Sequence, residues 1–170
     1  MKELLIIVDL QNDFVTGALG TKDAQRAASR IAKKLAKSEK DLIFTLDTHD
    51  DKYLETQEGR NLPIVHCVKG TEGWKLVPEV TPFLNTEKCK AFVEKTAFGG
   101  VTLISLVKDY DSIELVGVCT DICVIANALL LKSFYPEKLI SVDKKCCAGS
   151  SKKAHNATLE VMKSCQIIVN

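Results

Sequence analysis

The sequence predicts an α/β fold built on an open, mostly parallel sheet. Three observations lead there. Short apolar or β-branched runs recur along the chain, segments with helical periodicity separate them, and 170 residues are enough for one domain. A domain near this length buries roughly 70% of the surface its unfolded chain exposes, so it needs neither disulfide nor metal to own a core. Residues 1–170 are therefore expected to form a single domain.

The elements follow in order. Residues 3–8 are a short apolar run that reads as a buried strand. Residues 24–37 carry Ala28, Ile31, Ala32 and Leu35 at helical spacing. Residues 42–46 read as the second strand. Residues 48–84 are polar and hold three of the four prolines, so a long loop with short helical pieces is expected. Residues 90–93 read as a strand, 100–108 as a helix and 112–118 as a strand. Residues 121–134 are apolar nearly all round, broken chiefly by Asn127, and predict a buried helix. A strand over 138–142, a helix over 151–164 capped by Ser150 or Ser151, and a short strand over 167–169 complete the chain.

Composition narrows the function. Lys plus Arg is 23 against Asp plus Glu 22, a net charge of +1, which argues against broad attraction to nucleic acid or an anionic membrane. A homo-oligomer stays open. The longest nearly apolar run is about half the 18 or so residues that a membrane span needs. Seven cysteines are an odd number with no even, spaced framework, and the first residues do not read as a secretory signal. A reducing cytoplasm with free thiols is the expectation. No Walker pattern or Rossmann glycine fingerprint is present.

In an open parallel sheet, ligands bind beyond the carboxyl ends of the strands. Asp9, Asn12, Asp13 and Phe14 follow the first predicted strand, and Asp47, His49 and Asp50 the second. Glu94 and Lys95 follow the third, and Cys119 to Cys123 the fourth. Cys123 would lie in the first turn of a helix, where free N–H groups favour thiolate, and Cys119 competes for the role. A lone buried cysteine is ordinarily a small hydrophobe. Likewise, Asp9 alone reads as a turn acid and Lys95 as a solvated lysine. Together an acid, a lysine and a thiol supply a proton acceptor, a charge partner and a nucleophile. Asp47 and His49, two residues apart, project to one side if extended. With His66 they suit zinc or a similar divalent ion, although two unrelated histidines and a turn acid would look the same. His155 reads as an ordinary helix residue.

Five motifs then carry a resemblance: Asp9-Leu-Gln-Asn-Asp13-Phe14, Asp47-Thr-His49, His66-Cys-Val-Lys-Gly-Thr71, Glu94-Lys95-Thr-Ala-Phe98 and Gly117-Val-Cys-Thr-Asp121-Ile-Cys123-Val. In this order the chain resembles the isochorismatase-like cysteine hydrolases, and more closely their nicotinamidase (pyrazinamidase) branch. The resemblance implies six parallel strands in the order 3-2-1-4-5-6 with helices on both faces. It implies Cys123 as nucleophile, Asp9 as general base and Lys95 as the third catalytic residue. It implies an oxyanion hole from the backbone N–H groups of Cys119 and Cys123, and a non-proline cis peptide between Val118 and Cys119. Asp47, His49 and His66 map to the metal ligands, with Glu58 the candidate for a fourth and Glu55 its alternative. The ion implied is zinc, with iron and manganese as alternatives. Phe14 and Trp74 are candidates for substrate contact.

The implied reaction is hydrolysis of nicotinamide to nicotinate and ammonia through a thioester on Cys123, a step of NAD salvage. Nicotinamidases often carry an aromatic residue just before the metal histidine, where this chain has Pro63-Ile64-Val65. The alternative is therefore the same triad acting on another small amide or carbamoyl compound. A non-catalytic relic or a thiol-based redox sensor is the remaining reading. Isochorismatase activity itself is argued against, because that reaction breaks a vinyl ether without this cysteine.

Overall fold

The computed structural model describes all 170 residues. Six parallel strands form one sheet: β1 (Glu3–Val8), β2 (Asp41–Asp47), β3 (Cys89–Lys95), β4 (Ser112–Val118), β5 (Leu139–Ala148) and β6 (Ile168–Val169). Their order is β3-β2-β1-β4-β5-β6, as the resemblance implies. β1 lies at the centre and is fully buried from Leu4 to Val8. Alternate side chains point to opposite faces of a strand. Leu4, Ile6 and Val8 accordingly join one core, and Leu5 and Ile7 the other.

Six α-helices surround the sheet: α1 (Asn12–Val15), α2 (Lys22–Leu35), α3 (Gln57–Asn61), α4 (Leu103–Leu106), α5 (Ile125–Phe134) and α6 (Lys152–Ser164). The core holding Leu5 and Ile7 includes Ala24, Ala27, Ala28, Ile31 and Leu35 of α2. The opposite core includes Leu103, Ala128, Leu131, Leu159 and Met162, from α4, α5 and α6. Thr21 caps α2 by accepting the Ala24 N–H, and Ser151 caps α6 by accepting the Ala154 N–H. No helix is long and apolar enough to cross a membrane.

The structure moves several predicted boundaries. α2 begins two residues earlier than expected, because its cap lies at Thr21. The helix expected over 100–108 reduces to Leu103–Leu106. The helix expected from 121 is a π-helical turn over Thr120–Val124 that runs into α5. β5 continues to Ala148, well past 142, because its end pairs Cys147 with Gly117 and Ala148 with Val118 after a break in register. The polar Asp143-Lys-Lys stretch had hidden that continuation. Residues 48–84 are irregular as expected, with 3-10 turns at Tyr53–Glu55 and Pro78–Phe83 and the short α3.

Sequence order runs from β1 outward to β3, then crosses to β4 and runs outward to β6. The crevice beyond the carboxyl ends of β1 and β4 is thus the point where strand order reverses, the usual ligand site of such sheets. Gly117, paired with Val8, brings these ends together. Its φ is +123°, and a Cβ there would meet the Val8 carbonyl oxygen at 2.1 Å.

Candidate active site

Three strand ends and one turn deliver the candidate catalytic residues to this crevice. Asp9 directly follows β1 with φ +47°, a conformation that short polar side chains tolerate better than most. Its N–H donates to the Thr45 carbonyl at 3.2 Å, and its Oδ1 accepts the Thr45 hydroxyl at 2.5 Å. Lys95 and Asp47 are the last residues of β3 and β2 and are paired across them. The sequence had placed both just beyond the strands. Cys123 sits in the π-helical turn after β4, a distortion common at functional sites.

These residues meet. Lys95 Nζ lies 2.6 Å from Asp9 Oδ2, 3.3 Å from Asp47 Oδ1 and 3.4 Å from Cys123 Sγ, and donates to the Ala97 carbonyl at 3.1 Å. The Asp9 contact is an ion pair rather than an aligned hydrogen bond, so Asp9 Oδ2 is buried with a lone pair free. Burial pushes the Asp9 carboxyl above its ordinary value, Lys95 opposes that, and the Asp47 charge adds to it. Burial opposes a charged Lys95, but Asp9, Cys123 and Asp47 together hold its proton well above the ordinary range. Burial and the Asp9 charge push the Cys123 thiol well up, with Lys95 opposing. The resting sulfur is therefore a thiol. Sequence reasoning expected the helix terminus to favour thiolate; burial outweighs it here.

Beside the triad, Asp47, His49, Glu58 and His66 each aim one ligand atom at a common point, all within 4.8 Å of one another. His49 Nε2 lies 3.1 Å from Asp47 Oδ2 and 3.7 Å from Glu58 Oε1. His66 Nε2 lies 3.6 Å from Asp47 Oδ2. His66 Nδ1 donates to the Ile64 carbonyl at 2.7 Å, which leaves Nε2 as the lone-pair atom facing the cluster. Two imidazoles and two carboxylates are a donor set suited to zinc, iron or manganese, so the residues fit a divalent ion. The histidines, with Lys95, hold Asp47 well below the usual carboxylate range although burial opposes them. Of the two glutamates weighed, Glu58 is in the cluster and Glu55 is exposed outside it.

Two supporting residues, Tyr53 and Gln11, escaped the sequence reading, and a third, Asp13, was placed at the rim without a role. Tyr53 is buried with its ring 4.6 Å from that of His49 and 5.0 Å from that of His66, and its hydroxyl donates to the Leu62 carbonyl. Gln11 is fully buried, accepts the Asp47 N–H at 2.8 Å and donates to the Asp47 carbonyl at 2.8 Å. Asp13 Oδ2 accepts the N–H of Cys67, the residue after His66, at 2.8 Å. A buried glutamine in the polar run Asp9-Leu-Gln-Asn-Asp13 reads as a turn residue and leaves no periodic signal. The aromatic residue four positions after His49 was the one available hint.

A cavity of about 760 Å³ opens onto both clusters. Phe14, Phe98 and Ile122 line it together with Asp47, His49, Cys119 and Cys123. Phe14 meets His66 edge-on at 5.4 Å. Trp74, the other candidate for substrate contact, does not line the cavity. Its indole N–H donates to Thr48 Oγ1 at 2.9 Å, and its carbonyl accepts from Gln11, which fixes it on the loop. The Val118–Cys119 peptide is cis, and the Cys119 N–H donates to no acceptor within the protein. It is free to meet an oxyanion.

The Isochorismatase domain family profile matches residues 3–170. The chain belongs to the isochorismatase family. An uncharacterized isochorismatase family protein PncA of Bacillus subtilis is 30% identical over 169 residues, 91% of either chain. Among solved structures, the pyrazinamidase of Pyrococcus horikoshii in complex with zinc superposes with a TM-score of 0.85 at 24% identity, covering 100% of this chain and 99% of that one. PnC1 from L. infantum in complex with nicotinate superposes at 0.84 and 21% identity, covering 99% of this chain and 92% of that one. This isochorismatase-family chain thus has the fold of both.

Proposed function

We propose that this protein is a metal-dependent cysteine amidohydrolase, a single hydrolase domain that converts nicotinamide to nicotinate and ammonia. The observation that carries the reading is one cavity lined by Cys123 and by the four-residue cluster, with Lys95 buried behind the thiol in contact with both Cys123 and Asp9. The names of the relatives point the same way. One is a pyrazinamidase crystallised with zinc, and another holds nicotinate.

In this reading Asp9 accepts the Cys123 proton on its free Oδ2, and the sulfur's electron pair attacks the amide carbonyl carbon. The carbonyl π electrons move onto oxygen, which rests on the N–H groups of Cys119 and Cys123. Losing one such donor typically costs about 3–4 kcal/mol. Asp9 hands its proton to nitrogen as the C–N bond breaks and ammonia leaves. A water then gives a proton to Asp9 and attacks the thioester carbon. The C–S bond breaks, the Asp9 proton returns to sulfur, and nicotinic acid departs and loses its carboxyl proton to solvent as nicotinate. Lys95 stays protonated throughout and balances the charge that moves between Asp9 and Cys123. Asp47, His49, Glu58 and His66 would hold the ion, whose chemistry is to bind a ring acceptor nitrogen and orient the carboxamide. Zinc is the ion we favour, and a reducing cytoplasm suits the seven unpaired thiols.

A second reading keeps the mechanism and changes the substrate to another small amide. Two observations favour it: no aromatic residue precedes His66, and the cavity is roomy for one six-membered ring. Ammonia release from nicotinamide by metal-loaded protein, with Cys123→Ala beside it, tests the first reading. Release that disappears in the variant is expected. Full activity in Cys123→Ala would end the mechanism, and release from other amides but not nicotinamide would select the second reading.

A further inference from the structure

We propose that His155 is a positioning residue that holds the oxyanion-binding turn from outside the cavity, an assignment that rests on the hydrolase reading above. Thr120 directly follows Cys119, opens the π-helical turn that carries Cys123, and is fully buried. Its hydroxyl has one partner, His155 Nδ1, at 2.8 Å. His155 lies in the first turn of α6, where its N–H donates to the Ser151 carbonyl. A second tether runs in parallel. Asp121 accepts the Ser150 N–H at 2.8 Å on Oδ1 and the Ser150 hydroxyl on Oδ2 at 2.5 Å. Gly149 permits this approach, since a Cβ there would stand 2.8 Å from Asp121 Oδ1 and 2.9 Å from the His155 Cβ.

Residues 120 and 121 are therefore each gripped by the segment that leads into and opens α6. The Cys119 N–H immediately precedes the gripped pair. An oxyanion donor contributes fully only when it is held in place before the oxyanion forms. Burial lowers the His155 pKa below its ordinary value although Asp121 opposes it, so the imidazole is neutral and offers Thr120 a single directional partner. Nothing in the triad or the metal cluster touches His155, and its effect must pass through Thr120.

The test compares His155→Phe, His155→Asn and Thr120→Val with wild type in the metal-loaded protein. Asn can place a polar atom near the position of Nδ1, and Val replaces the Thr120 hydroxyl at equal shape. The probes are nicotinamide turnover, inhibition by pyridine-3-carbaldehyde, whose adduct with Cys123 needs the same oxyanion donors, and binding of nicotinate. We expect His155→Phe and Thr120→Val to lower kcat about 10–100-fold, the scale of a small misplacement of catalytic groups. KM and nicotinate binding should stay within about twofold, aldehyde inhibition should weaken in step with kcat, and His155→Asn should recover most of the loss. Unchanged kcat and aldehyde inhibition in both variants would overturn the assignment. So would parallel losses in kcat, nicotinate binding and Tm with no rescue by Asn. If His155→Phe does not fold, Thr120→Val decides by the same criteria. Wild-type protein that neither releases ammonia nor binds the aldehyde would instead overturn the hydrolase reading, and this assignment with it.

Discussion

Lys95 keeps its proton because the carboxylates of Asp9 and Asp47 face it, although it is buried. The same burial raises Asp9 and Cys123, so both groups resist charge. Neither residue would show this property alone. Asp47 links the two clusters: Oδ1 faces Lys95 while Oδ2 faces both histidines. The contribution of Glu58 can be separated from that of its sequence neighbour. Glu58→Gln should weaken zinc affinity by at least about tenfold, since it replaces a charged ligand in the set. Glu55→Gln should leave affinity unchanged. Calorimetric zinc titration checks both, and equal effects would remove Glu58 from the site.

Strand ends and short helices set these residues at their distances, and two side chains tie elements together at opposite rims of the sheet. Asn127, the polar break in the apolar α5, is fully buried and fully used. It accepts the Gly100 N–H at 2.8 Å and donates to the Phe98 and Cys123 carbonyls at 3.2 and 2.7 Å. It thereby joins the Cys123 backbone to the loop after β3. At the opposite rim Tyr110 donates to Asp41 Oδ2 at 2.8 Å and pins the approach to β4 to the start of β2. Burial first, and then Asp41, push this phenol from 10.0 up to about 12. A pKa raised in the folded state stabilises the fold below the unfolded value and loses that stabilisation as pH rises through the folded value. Tyr110→Phe should therefore cost about 1–2 kcal/mol at neutral pH. The unfolding free energies of the two proteins should converge between about pH 10 and 12. Denaturant titrations across that range check it, and a constant gap would exclude the linkage.

At the scale of the whole molecule, the metal cluster closes the long connection between β2 and β3 back onto the sheet. His49 comes from the end of β2, His66 from the loop, and Glu58 from α3 between them. An ion bound there stabilises only the folded chain, by about 2.7 kcal/mol at one hundred times its Kd. Zinc should raise Tm, a chelator should reverse the rise, and His66→Ala should abolish the response. Thermal melts followed by circular dichroism read this without any substrate. A zinc response that survives in His66→Ala would place the ion elsewhere.

Much of the molecule is legible in the sequence. Strand runs such as Leu4–Val8 announce themselves, because a strand buried on both faces must be apolar at every position. The candidate triad and metal residues follow from motif order: Asp9, Asp47 and Lys95 fall at strand ends, where an α/β sheet gathers its ligands, Cys123 in the turn after β4, and Glu58 and His66 in the connection between β2 and β3. What the sequence could not carry was contact between side chains distant along the chain. The hydrogen bonds of Gln11 to Asp47, of Asn127 to Cys123 and of His155 to Thr120 belong to residue types common on any surface. Only packing shows that they are enclosed and which atoms they meet. Trp74 went the other way, from candidate substrate contact to a loop brace held by Thr48 and Gln11. The protonation of Cys123 was also decided in three dimensions. Helix position along the chain favoured the thiolate, whereas burial beside Asp9 favours the thiol, and burial is a property of the folded whole.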